Sequence, residues 1–118
     1  LTSPEYLTDL EAQILSFIIV GFSTYTEPLA IQLASSRLES RELNGYGFFT
    51  NFLVDENAPS CDLVDGRLHA SAPVGTELCG FMIWVKNGKI SFLEGYPLGG
   101  DALPLNGVVT KLKLGGLD

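Results

Sequence analysis

The hydrophobic period of the chain changes once, near Leu38, and that change limits the fold more than any other feature. Before it, Leu7, Leu10, Ile14, Phe17 and Ile18 recur at helical spacing, with Asp9, Gln13 and Ser16 on the other side. After it, apolar residues alternate with a period of two. Helices followed by a run of strands make an α+β arrangement. The expected architecture is an N-terminal helical hairpin packed on a curled, mainly antiparallel sheet of five to six strands. The 118 residues contain no repeat, linker or low-complexity segment, so 1–118 is read as one domain.

The first helix is expected to start at Ser3 with Pro4 in its first position, or in the Thr2-x-x-Glu5 capping-box register. Gly21 is its expected terminator. Beyond Ser16 the residues Ile19, Val20 and Phe22 wrap the helix end in apolar surface, which calls for cover from the sheet or from a second subunit. Thr26 is expected to cap a second helix opening with Glu27-Pro28, with Leu29, Ala30, Leu33 and Ala34 facing inward.

Asn44-Gly45 predicts a two-residue hairpin between a polar strand, Leu38–Leu43, and an apolar one, Tyr46–Val54. Asn87-Gly88 predicts a second hairpin between Cys79–Lys86 and Lys89–Tyr96. Arg67–Ala72 and Val108–Leu114 complete the strands, the last with Val108, Leu112 and Leu114 pointing in. In Cys79–Lys86 the residues Phe81, Ile83 and Val85 share one face, and Met82 and Trp84 share the other. Both sides of the sheet are therefore expected to be covered, and the helices suffice for one. The second calls for curling into a half-barrel or for a twofold partner. A homodimer is the favoured expectation; separately, Met82, Trp84, Ile19, Val20 and Phe22 are the expected interaction surface.

Charge narrows the function classes. Fourteen acids against seven bases leave a net charge of -7, and residues 1–36 hold no Lys or Arg. Without clustered cations, neither nucleic acid nor an anionic membrane surface is an expected partner. An acidic inhibitor or immunity-type protein docking a basic partner is one reading of this balance. The longest apolar run, Ile14 to Phe22, is far short of the ~20 residues a bilayer requires and follows no basic segment. Neither a spanning helix nor a secretory signal is expected, and the expected location is cytoplasmic. Cys61 and Cys79 lack C-x-x-C spacing and are read as reduced thiols, with a single bridge left open.

His69 is the one histidine, so any Ser-His or Cys-His hydrolysis must use it, with Cys79 as the partner to test. A simple hairpin pairing Ala70 with Cys79 sends His69 and Cys79 to opposite faces and forbids a dyad. The acidic loop from Asp55 to Gly66 fails the calcium pattern, with Ser60 at its sixth position and Gly66 at its twelfth. One His and two separated Cys do not make a zinc site. No metal and no cofactor are expected, and neither Gly45-x-Gly47 nor Gly99-Gly100 forms a phosphate loop. Glu94 shares a strand face with Phe92 and Tyr96, an aromatic setting of the kind a general acid uses. Its structural alternative is to accept N–H groups of the Pro97–Gly107 loop, or to pair with a lysine of the last strand. The favoured reading is a non-catalytic module binding a protein or small molecule. The runner-up is a small enzyme using Glu94 with His69 or Cys79.

The segment Gly45-Tyr46-Gly47-Phe48-Phe49-Thr50-Asn51-Phe52, taken with Gly88-Lys89-Ile90-Ser91-Phe92-Leu93-Glu94-Gly95-Tyr96, resembles a set of small uncharacterised bacterial proteins. These share a G-x-GFFT-x-F segment and a later GKI-x-x-LEGY segment. The resemblance spans roughly Ser40 to Tyr96 and implies no activity, cofactor or catalytic residue. It also implies a Trp-Pro pair after the second segment, where this chain has Leu103-Pro104.

Overall fold

The computed structural model describes residues 6–118 and has the expected class: two helices, then six strands in one open antiparallel sheet. Helix α1 (Asp9–Gly21) begins at Thr8. The Thr8 hydroxyl accepts the Glu11 N–H at 3.1 Å, and the Glu11 carboxylate accepts the Thr8 N–H at 2.8 Å, a reciprocal capping box. The expected start is therefore corrected to Thr8-x-x-Glu11; Thr2, Ser3, Pro4 and Glu5 lie outside the described residues. Gly21 does end the helix, and the Leu114 side chain packs where a Cβ on Gly21 would stand.

A short 3-10 turn (Ser23–Tyr25) leads into α2 (Thr26–Ser35), and the chain bends by 97° between the two helices. Thr26 is the first residue of α2 rather than its cap. Its hydroxyl donates back to the Ile19 carbonyl at 2.6 Å, closing an open carbonyl of α1. Leu29 is buried as expected, but Ala30 and Ala34 are exposed and Gln32 takes the inward position.

The strands are β1 (Arg37–Leu43), β2 (Phe48–Leu53), β3 (Asp65–Val74), β4 (Glu77–Lys86), β5 (Lys89–Pro97) and β6 (Lys113–Leu117), in spatial order β1-β2-β5-β4-β3-β6. Asn87 and Gly88 both have positive φ, the tight β4–β5 turn that Asn-Gly signals. The first Asn-Gly does not behave this way. Leu43 pairs with Phe48, so four residues form that loop. Only Gly45 has positive φ there, and the Asn44 side chain accepts the N–H groups of Tyr46 and Gly47. The last strand also lies later than expected. Val109 makes a lone bridge to Val74, Val108 is 73% exposed, and regular pairing starts at Lys113.

Both helices lie on one face of the sheet. Leu10, Ile14, Leu15, Ile18 and Ile19 of α1 and Leu29 of α2 pack on Phe48, Leu68, Phe81, Ile83, Ile90, Leu93 and the small residues Ala70, Ala72 and Cys79. The segment between β5 and β6 closes one end of this core. Leu103, standing where the resemblance implies Trp, is buried there and its N–H donates to the Tyr46 carbonyl at 2.7 Å. Among the described residues no single helix is long and apolar enough to cross a membrane.

Candidate functional site

Alternation along the strands sends the remaining side chains to the opposite face, which neither helix covers. Two cross-strand rows define it. One runs Asn51, Phe92, Trp84, Arg67 and the other Phe49, Glu94, Met82, His69, each member directly opposite the next on β2, β5, β4 and β3. A bulge at Ser91 keeps both rows in phase: Trp84 pairs with Phe92 but Val85 with Ile90. The segments 45–52 and 88–96 supply β2 and β5, which are neighbours in this sheet.

The first row is a column of stacked planes. Trp84 and Phe92 lie with ring centroids 5.1 Å apart and planes 22° apart, while Phe49 meets Phe92 edge-on at 5.8 Å. The Arg67 guanidinium sits 5.1 Å from the centre of Trp84 and the Lys86 ammonium 5.6 Å from that of Phe92. In this arrangement the rings and the Arg67 stem cover one another, leaving Phe49, Phe92, Trp84 and Arg67 half-buried. Beside the column, a shallow depression of about 430 Å³ opens between Arg67, Trp84, Lys86, Asp65 and Asp118.

In the second row Glu94 accepts the Trp84 indole N–H at 3.0 Å. That bond replaces the expected partners from the Pro97–Gly107 loop or the last strand. Tyr96 flanks Glu94 along β5, and its ring lies over Gly80, where a Cβ would come within 2.4 Å of it. Burial pushes the Tyr96 phenol up, and the charge of Glu94 adds to the effect. At the far end of the row the His69 imidazole is 2.6 Å from Asp118, which also takes a 2.9 Å hydrogen bond from Arg67. The His69 hydrogen bond is the main reason the Asp118 carboxyl is held below its usual range.

The three candidate reactive residues are not brought together. Ala72, not Ala70, pairs with Cys79, a two-residue register difference that preserves parity. His69 and Cys79 therefore project to opposite faces, as reasoned from the sequence, and Cys79 is fully buried in the core. Glu94 and His69 share the open face but stand on either side of Met82, about 10 Å apart by strand spacing, beyond direct proton transfer. Cys61 and Cys79 are free thiols, both pushed up by burial. Among the described residues no three His, Cys, Asp or Glu side chains converge on a metal position.

The interaction surface read from the sequence divides in two. Met82 and Trp84 belong to the open face, whereas α1 lies beneath the sheet, with Ile19 buried, Phe22 half-buried and Val20 66% exposed. They do not form one patch. A groove of about 610 Å³ beside Val20, lined by Ala12, Phe17 and Leu112, is the separate apolar feature of the helical side.

Two buried polar groups went unread in the sequence. Glu11, only 2% exposed, accepts from Arg41 Nε at 2.8 Å and Nη2 at 2.5 Å, from the Thr50 hydroxyl and from the Thr8 N–H. Burial works against its charge, but these donors outweigh it and hold the carboxyl below its ordinary 4.5. Thr8-x-x-Glu11 was the available signal. A cavity of about 190 Å³ beside the pair is lined by Leu10, Leu43, Phe48 and Leu105, yet both Glu11 oxygens are already engaged. Gln32 donates to the carbonyls of Pro59 and Gly88 and accepts the Ile90 N–H, tying α2 to the β4–β5 turn. Both arrangements are fully satisfied internally and read as scaffold.

Comparison of the chain with protein-family models, with curated proteins and with solved structures returns no match. The geometry therefore carries the functional argument alone.

Proposed function

We propose that this protein is a non-catalytic interaction module whose binding surface is the open face of β2, β5, β4 and β3. The observation that carries the reading is the aromatic cluster in which Trp84 stacks on Phe92, Phe49 meets Phe92 edge-on, and Arg67 and Lys86 lie over the rings of Trp84 and Phe92. Preordered aromatic area of this kind contributes contact at low entropic cost, as in binding hot spots. The separation of Glu94, His69 and Cys79 weighs against the enzyme reading. A homodimer would be a competing use of the same face. Against it, a twofold axis through the middle of the face would bring two Glu94 carboxylates together.

The test is a peptide-display selection against the folded protein, followed by binding measurements on two variants. Selected peptides are expected to lose at least about thirtyfold in affinity for Trp84→Ser, a hot-spot-sized effect, and to bind Val20→Ser normally. Circular dichroism verifies that each variant is folded. Peptides that respond to Val20→Ser and ignore Trp84→Ser would place the binding surface on the helical side and refute the proposal.

A further inference from the structure

We infer that the open face selects a basic partner, by seating an arginine side chain of that partner on Glu94. This rests on the binding reading above and specifies its chemistry. Glu94 is a half-buried carboxylate ringed by Phe49, Phe92, Trp84, Met82 and Tyr96. Its one hydrogen bond comes from a neutral donor, the Trp84 indole, on one of its two oxygens. Among the described residues Arg41 pairs with Glu11 and Arg67 with Asp118, while the His69 imidazole also contacts Asp118, so the central carboxylate has no Lys or Arg of its own. A carboxylate in such apolar surroundings favours a cationic guest over water once the face is covered.

Arginine suits the surroundings as well as the charge. A planar guanidinium can stack on the rings while its N–H fork meets the carboxylate. The same face already uses this chemistry internally, with Arg67 over Trp84 and Lys86 over Phe92, while among the described residues no Lys or Arg pairs with Glu94. The net charge of -7 draws a basic partner from a distance.

Trp84 is the single tryptophan, so its indole N–H is a unique reporter bonded to the very group in question. The experiment titrates isotope-labelled protein with N-acetyl-arginine amide, and in parallel with N-acetyl-citrulline amide, its neutral isostere. Arginine is expected to move the indole resonance along a saturating curve, at least about fivefold more steeply than citrulline, and Glu94→Gln should reduce it to the citrulline level. Equal responses to the two probes on the wild-type protein would overturn the inference, a comparison independent of how the variant folds. An arginine response that persists in Glu94→Gln would overturn it too. So would an indole resonance that moves with protein concentration alone, which would make a second copy the occupant. In each case the Trp84→Ser display result still decides separately whether the face binds at all.

Discussion

Replacing Glu11 with alanine should be among the most damaging single changes available to this fold. Glu11 is 2% exposed and its partner Arg41 22%, so truncation strands a guanidinium that reaches water only in part. It also removes the acceptor for the buried Thr50 hydroxyl and for the Thr8 N–H at the start of α1. Breaking a buried pair costs about 3–5 kcal/mol, and the partial exposure of Arg41 argues for about 3. Against the roughly 6–18 kcal/mol expected for a domain of this length, that is a large share. In urea it should lower the unfolding midpoint by about 1–3 M, read by Trp84 fluorescence and far-UV circular dichroism together. Asp9→Ala, an exposed acid of the same first turn, should stay within about 0.5 kcal/mol. The double variant Glu11→Leu with Arg41→Leu should recover more than half of the loss, because no uncompensated charge remains. A Glu11→Ala midpoint within about 0.3 M of wild type would refute the account of this cluster as buried and mutually dependent.

Acid should weaken the protein through the same carboxyl. The folded state holds Glu11 below its ordinary 4.5, so the unfolded chain takes up the proton more readily; the contribution is complete above that value and fades as pH falls through it toward the folded one. Urea midpoints of wild type and Glu11→Gln should therefore converge on going from about pH 6 to about pH 3. Gln32→Leu strands the Ile90 N–H and takes a donor from the Pro59 carbonyl, while the Gly88 carbonyl keeps the Cys61 N–H; it should cost about 1–3 kcal/mol, with amide exchange accelerating first at the β4–β5 turn. Gly95→Ala places a Cβ 2.3 Å from the buried Phe48 ring, and should cost about 1–3 kcal/mol by denaturant unfolding, partly restored by Phe48→Leu.

How much of the molecule the sequence reveals varies from element to element. The β4–β5 hairpin was legible because Asn87-Gly88 satisfies a local steric demand for positive φ at two successive residues. Asn44-Gly45 carries the same letters, but there the Asn44 side chain caps the loop and the turn lengthens. The Val108 error has a tertiary cause: an alternating pattern cannot say which residue first finds a partner strand, and here pairing waits until Lys113. Of the candidate site, Met82, Trp84 and Glu94 were singled out from the sequence, while Arg67, Lys86 and Asp118 entered only through the register.

Local chemistry alone determined the two helices, the antiparallel strands and the opposition of His69 to Cys79, since period and parity survive a two-residue shift in pairing. Only the tertiary structure decided that Glu11 is buried, that α1 and Trp84 lie on opposite sides, and that Arg67, Trp84 and Phe92 stack on one another across the second sheet face. The reason is physical. Alternation reports which residues share a side, whereas what lies over that side depends on contacts between strands far apart in the chain.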